Sequence, residues 1–118
     1  MTITETFDLV IVGAGASGLA AGIAACRARG AGRGVLLLER MPRAGKKLLA
    51  TGNGRCNLGN RHALAHPYHQ KEFATPALRQ CGTEALEKFF DSLGLALHED
   101  TEGRLYPRSN MAASVLDA

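Results

Sequence analysis

The residues of this chain best placed to do chemistry are a set of glycines and one carboxylate. Gly13-Ala14-Gly15-Ala16-Ser17-Gly18 spell G-x-G-x-x-G, and Glu39 closes the next apolar run. Each position has its own physical task in holding a dinucleotide. Gly13 permits a tight turn, Gly15 lets the backbone approach a pyrophosphate, and Gly18 lets a helix close on a strand. Unpaired N–H groups and the helix dipole favour phosphate at such a turn. Glu39 is placed to accept hydrogen bonds from ribose hydroxyls, and its charge disfavours a ribose 2′-phosphate. Arg40 offsets that repulsion only slightly, so FAD and NAD stand ahead of NADP. The six-residue pattern alone would also fit a plain turn; a strand before it, a helix after it and an acid beyond them make the case.

A second cluster lies downstream. Lys46-Lys47-Leu48-Leu49-Ala50-Thr51-Gly52-Asn53-Gly54-Arg55-Cys56-Asn57 holds three cations, two glycines, two asparagines and a threonine, with no acid. Such a loop can wrap an anionic cofactor and hydrogen-bond the edge of a ring system. A solvated basic loop is the plainer reading of the same composition.

These residues need elements to position them. Phe7–Val12 is a short β-branched run, as in a strand buried on both faces. Leu19–Arg29 has helical spacing, with Leu19, Ile23 and Cys26 on one face, and Gly30 to Gly34 reads as its stop. Val35–Leu38 is a second buried strand. Strand, glycine turn, helix and strand make a βαβ unit, hence an α/β, Rossmann-like domain with a parallel sheet. Met41–Tyr68 lacks clear periodicity and reads as a long loop, either functional or disordered. Glu84–Leu93 is an amphipathic helix stopped by Gly94. Leu95–His98 and Arg104–Tyr106 flank a turn and predict a β-hairpin. Ser109 or Asn110 is expected to cap a last helix from Met111.

Composition narrows the alternatives. The 118 residues suffice for one domain, and 46% hydrophobic against 21% charged residues excludes wholesale disorder. The net charge of +3 is unevenly spread: Arg27 to Arg61 carries nine basic residues and one acid, Glu39. An anionic partner suits that stretch. The cysteines Cys26, Cys56 and Cys81 offer neither a disulfide framework nor a CxxC pair, which points to a reducing cytoplasm. Leu9 to Cys26 is uncharged, but its glycines favour strand, turn and helix over a membrane span.

Three blocks of the sequence resemble the BaiN/RdsA-type flavoproteins, a family of FAD-dependent oxidoreductases that includes aminoacetone-oxidase-like members. They are DLVIVGAGASGLAAGIAA with LLLER, GKKLLATGNGRCNL with Asn60, and FFDSLGLALHEDTEGRLYPRSNMAASVLDA. Two positions depart from the pattern: Gly59 stands where Thr is usual, and Tyr106 where Phe is usual before Pro107. The resemblance implies that Gly13 to Gly18 bind the FAD pyrophosphate and Glu39 its ribose. It implies that Arg40, Lys46, Lys47 and the residues Thr51, Gly52, Asn53, Gly54, Arg55, Cys56 and Asn57 run along the phosphates and toward the isoalloxazine. NAD(P)H is the expected reductant. Members linked to bile-acid reduction exist, so the organic substrate is not inherited.

The chain is then expected to be the N-terminal part of a longer flavoenzyme, inactive alone, with residues 70–118 beginning an inserted or substrate-side segment. Two other readings compete. An NAD-dependent dehydrogenase would use the same fingerprint but leaves the GNGRCN loop unexplained. A nucleic-acid-binding module would use the basic stretch, which lacks interleaved aromatics. Cys56 has no neighbouring thiol in sequence and reads as packing rather than redox chemistry. His62, His66 and His69 lack an acid or Cys to complete a metal set. Phe89 and Phe90 read as core; Asp91, Glu99 and Asp100 are assigned no catalytic role.

Overall fold

The computed structural model describes residues 4–30 and 34–118, which form two compact units, Met1–Leu48 and Leu49–Ala118. In the first, β1 (Leu9–Val12), α1 (Ala16–Arg29) and β2 (Val35–Leu38) follow the expected order. The two strands pair in parallel, from Leu9 opposite Val35 to Val12 opposite Leu38. The Gly13 N–H extends the ladder by donating to the Leu38 carbonyl at 2.7 Å. Strand β1 is shorter than the run Phe7–Val12, while α1 starts three residues before Leu19. Its first turn is built of Ala16, Ser17 and Gly18, too small to show an apolar period. It stops at Gly30, with φ +70°; the expected turn residues Ala31, Gly32 and Arg33 lie outside the described residues.

Burial of β1 on both faces is not what the structure shows. Val10 and Val12 are 48% and 84% exposed. A parallel pair is buried only when helices cover both faces, and among the described residues of this unit α1 is the long helix that packs on it. The uncharged stretch Leu9–Cys26 is strand, turn and helix, and among the described residues no helix is long and apolar enough to cross a membrane. Arg29, in the last turn of α1, pairs with Asp8.

Met41–Tyr68 is more ordered than its lack of periodicity suggests. It contains α2 (Lys46–Ala50), 3-10 turns at Thr51–Gly54 and Ala63–Ala65, and the two-residue strand β3 (Gly59–Asn60). Elements this short span too little sequence for a period to appear. Next come α3 (Lys71–Gln80) and α4 (Thr83–Asp91). Helix α3 was not among the expected elements, and Pro76 stands inside it. Helix α4 starts at Thr83 and precedes the turn at Gly94, φ +78°.

The second unit centres on a three-stranded antiparallel sheet. Strands β4 (Leu97–Glu99) and β5 (Arg104–Pro107) form the expected hairpin, shifted by a residue or two. The strand order is β3-β5-β4, so β5 is central. Leu105, Pro107 and Tyr106 of β5 are buried, with Cys56, Ala112 and Val115. Arg61, just after β3, ties the sheet to α4: its Nη1 donates to Glu87 Oε2 at 2.7 Å and its Nε to Glu99 Oε2 at 3.0 Å. These hydrogen bonds from Arg61 draw the Glu87 carboxyl below the usual glutamate range. A Cβ on Gly59 would lie 3.1 Å from Leu86 Cδ1, so the departure from Thr at this position makes room for Leu86.

The last helix, α5 (Ala112–Asp117), is not capped by Ser109 or Asn110. Its cap position is Met111, without a side-chain hydrogen bond. Asn110 takes a left-handed φ of +54° and its Oδ1 lies 2.9 Å from His98 Nε2. Ser109 Oγ accepts from the Met111 N–H at 3.2 Å and donates to Ser114 Oγ at 2.7 Å. Both candidate caps are therefore engaged elsewhere.

A methyl group on Gly18 would run into the Gly13 carbonyl, whose carbon lies 3.0 Å from the Cβ position. Gly18→Ala should cost on the order of 3 kcal/mol or more, measured as a lowered midpoint in denaturant unfolding. An unchanged midpoint would refute the close-contact role.

Candidate functional site

The sequence between β1 and α1 turns sharply because Gly13 takes a φ of +97°. Gly18 then lets α1 approach the turn, as expected from its place in the pattern. Gly15 differs from both. Its φ is −80°, open to any L-residue, and among the described residues a Cβ there would meet nothing within 4 Å. Neither backbone conformation nor packing requires glycine at this position. Gly15, Ala16 and Ser17 are exposed, whereas Ala14 is buried at 1% exposure. The N-terminus of α1 has no side-chain cap and no acid in its first turn. Its leading N–H groups point outward with the positive end of the helix dipole.

Glu39 is brought to this turn from the end of β2. Its Oε2 accepts the Ala14 N–H at 2.8 Å and its Oε1 the Met41 N–H at 2.8 Å. These two donors, Met41 first, hold its carboxyl below the usual glutamate range. The carboxylate is exposed and charged, with lone pairs left for further donors. The Gly45 N–H donates to the Ala14 carbonyl at 2.7 Å, so the backbone before Lys46 is fastened to the same turn. Arg40, Lys46 and Lys47 are exposed. Gly13 to Gly18, Glu39 and the start of α2 thus form one neighbourhood, combining an open helix N-terminus with an ionised carboxylate.

In the second unit, Thr51–Asn57 make a separate and tightly wound loop. Gly52, Asn53, Gly54 and Cys56 all have φ between +54° and +82°. The Arg55 N–H donates to the Gly52 carbonyl at 3.1 Å and the Cys56 N–H to the Thr51 carbonyl at 3.0 Å. Two N–H groups are thereby used inside the loop, so its polar side chains, rather than these amides, can meet a ligand. Asn53 and Asn57 are exposed, and Arg55 is half-buried with its guanidinium carbon 4.4 Å from the Tyr106 ring centroid. Cys56 is buried and all three cysteines are free thiols.

Among the described residues, no three His, Cys, Asp or Glu side chains converge as metal ligands. Asp100 is engaged with Arg104 at 2.7 Å and Glu99 with Arg61, consistent with structural roles. Tyr106 was noted in the sequence only as a departure from Phe. Nothing local in the sequence singles it out, because its contact with Arg55 is a tertiary one.

Known proteins are similar to this chain in sequence. The HI0933-like protein Rossmann domain family matches residues 7–118. A 3-dehydro-bile acid delta(4,6)-reductase of Clostridium scindens is 50% identical over 109 residues, 91% of this chain and 26% of that protein. A ribosomal RNA dihydrouridine synthase of Escherichia coli is 35% identical over 104 residues, 86% of this chain and 25% of that protein. The chain spans about a quarter of the length of these curated relatives. With the family pattern running through β1, the glycine turn, β2 and the sheet of the second unit, the chain belongs to the HI0933-like family and carries its Rossmann-like domain.

Proposed function

We propose that this chain is the FAD-binding portion of an FAD-dependent oxidoreductase. The observation that carries the reading is Gly15, a glycine that the fold itself does not require. It lies at an uncapped helix N-terminus whose neighbouring turn is hydrogen-bonded to Glu39. A bound pyrophosphate supplies the missing reason for it. On this reading Gly13 to Gly18 receive the pyrophosphate, Glu39 accepts from the adenosine ribose hydroxyls, and Arg40, Lys46 and Lys47 supply positive charge. The chemistry of Thr51 to Asn57 suits the same cofactor: exposed amides to hydrogen-bond a ring edge and a guanidinium to face an anion.

When bound, FAD supplies two-electron chemistry, exchanging hydride between a nicotinamide or oxygen and an organic substrate. The residues of this chain bind and orient. Glu39 stays ionised, the amide turn and helix dipole counter the phosphates, and the buried β5 residues keep a rigid base under the second loop. Residues 70–118 then begin an inserted or substrate-side segment, and the chain alone is inactive. The free thiols suit a cytoplasmic location. The names of the two relatives support a reductive enzyme but indicate different substrates, one a bile acid and one ribosomal RNA. NAD in place of FAD is the competing reading.

Expression of the complete coding sequence should yield yellow protein with a flavin spectrum. Colourless protein that takes up NAD but not FAD would exclude the flavin reading. Gly15→Ala should leave the unfolding midpoint nearly unchanged but weaken FAD binding at least tenfold, on the order expected for a methyl group forced against a phosphate. Equal affinity in this variant would remove the main support. Because the Glu39 carboxyl lies below its ordinary value, it stays ionised down through mild acid. FAD affinity should therefore be flat between about pH 5 and 8 and fall only below that range. Glu39→Gln should weaken binding by about tenfold at neutral pH, as for loss of a charge-assisted hydrogen bond. Both are read by titration of flavin fluorescence.

A further inference from the structure

We propose that Tyr106 is the positioning residue for Arg55, fixing its guanidinium so that its donor edge meets an anionic part of the flavin nucleotide. The inference rests on the FAD reading above and adds a residue to it. Two other arginines of the second unit are held by acids. Arg61 and Arg104 each pair with two carboxylates. Among the described residues Arg55 has no such acid; its guanidinium lies over the Tyr106 ring at 4.4 Å. A carboxylate would neutralise the cation, whereas an aromatic face attracts it and leaves its hydrogen-bond donors unused.

The ring is a fixed support. Tyr106 stands in the central strand at 3% exposure, opposite His98 in register. The His98 ring lies 6.0 Å away and is itself tied to Asn110 at 2.9 Å. On its other side the glycine loop lies close: a Cβ on Gly52 would come 3.4 Å from Tyr106 Cε1 and 2.7 Å from the Asn57 amide nitrogen. Arginine side chains carry large rotamer entropy, and a stacking surface removes part of it before a ligand arrives. The anion could be the pyrophosphate or the electron-rich pyrimidine edge of the reduced ring; a guanidinium recognises either through the same planar donors.

The test uses the complete flavin-loaded protein and isosteric changes at position 106, which spare the core. Tyr106→Phe should keep FAD affinity within about twofold, since the face remains. Pentafluorophenylalanine at 106, which removes the attraction without changing shape, should weaken FAD binding roughly three- to tenfold. In an Arg55→Met background the same fluorination should have no effect, because the cation it acts on is gone. A potential of the bound flavin that becomes more negative with fluorination assigns the anion to the ring; an unchanged potential with weaker binding assigns it to the pyrophosphate. Equal affinity for the Phe and pentafluoro forms in a protein that binds FAD overturns the role of Tyr106. Equal losses with and without Arg55 overturn it as well. If the unsubstituted protein takes up no FAD, the flavin reading itself falls, and this inference with it.

Discussion

The close approach of Gly18 to the Gly13 carbonyl is the constraint on which the first unit depends. It sets how near the start of α1 can come to the end of β1, and so where the leading N–H groups of the helix stand. The Ala14 N–H then has one direction left, and it finds the Glu39 carboxylate at the end of the paired strand. Parallel pairing in the register Val12 opposite Leu38 brings the turn and the acid to the same end of the sheet. Packing, register and electrostatics are thus coupled through a contact that no side chain larger than hydrogen could make.

The second unit solves a different problem, the support of a tightly wound loop with exposed asparagines. Four left-handed residues within Gly52 to Cys56 turn the chain so tightly that two of its amides bond within the loop. Asn53 and Cys56 hold that conformation without the freedom of glycine, which is uncommon outside sites where surroundings over-determine the backbone. Those surroundings are the buried strand β5 and, against the loop, the ring of Tyr106. Rigidity below and polar side chains above is an arrangement suited to binding with little ordering cost.

The glycine turn, Glu39, α1 and β2 were legible in the sequence because each leaves a local signature: a spacing, a β-branched run, a helical period. The hairpin was legible for the same reason. What sequence did not reveal has physical causes. Helix α3 contains Pro76, which argues against a helix when only local rules are applied. Strand β3 is two residues long and exists through its partner β5, so nothing within Gly59–Asn60 announces it. The cap of α5 was misplaced because Asn110 is taken by His98, a contact across the hairpin. The pairing of Arg55 with Tyr106 joins residues far apart in the chain, and no period links them.

The three glycines of the fingerprint are not equivalent, and that difference bears on how related sequences are read. Gly13 and Gly18 answer to the backbone, whereas no contact among the described residues accounts for Gly15. On the FAD reading proposed above, a descendant released from the cofactor would be under pressure to keep the first two and free to drift at the third. Relatives that retain Gly13 and Gly18 but carry a side chain at the middle position would then be folded proteins that have left the chemistry behind. The motif, usually scored as a unit, separates into a record of architecture and a record of use.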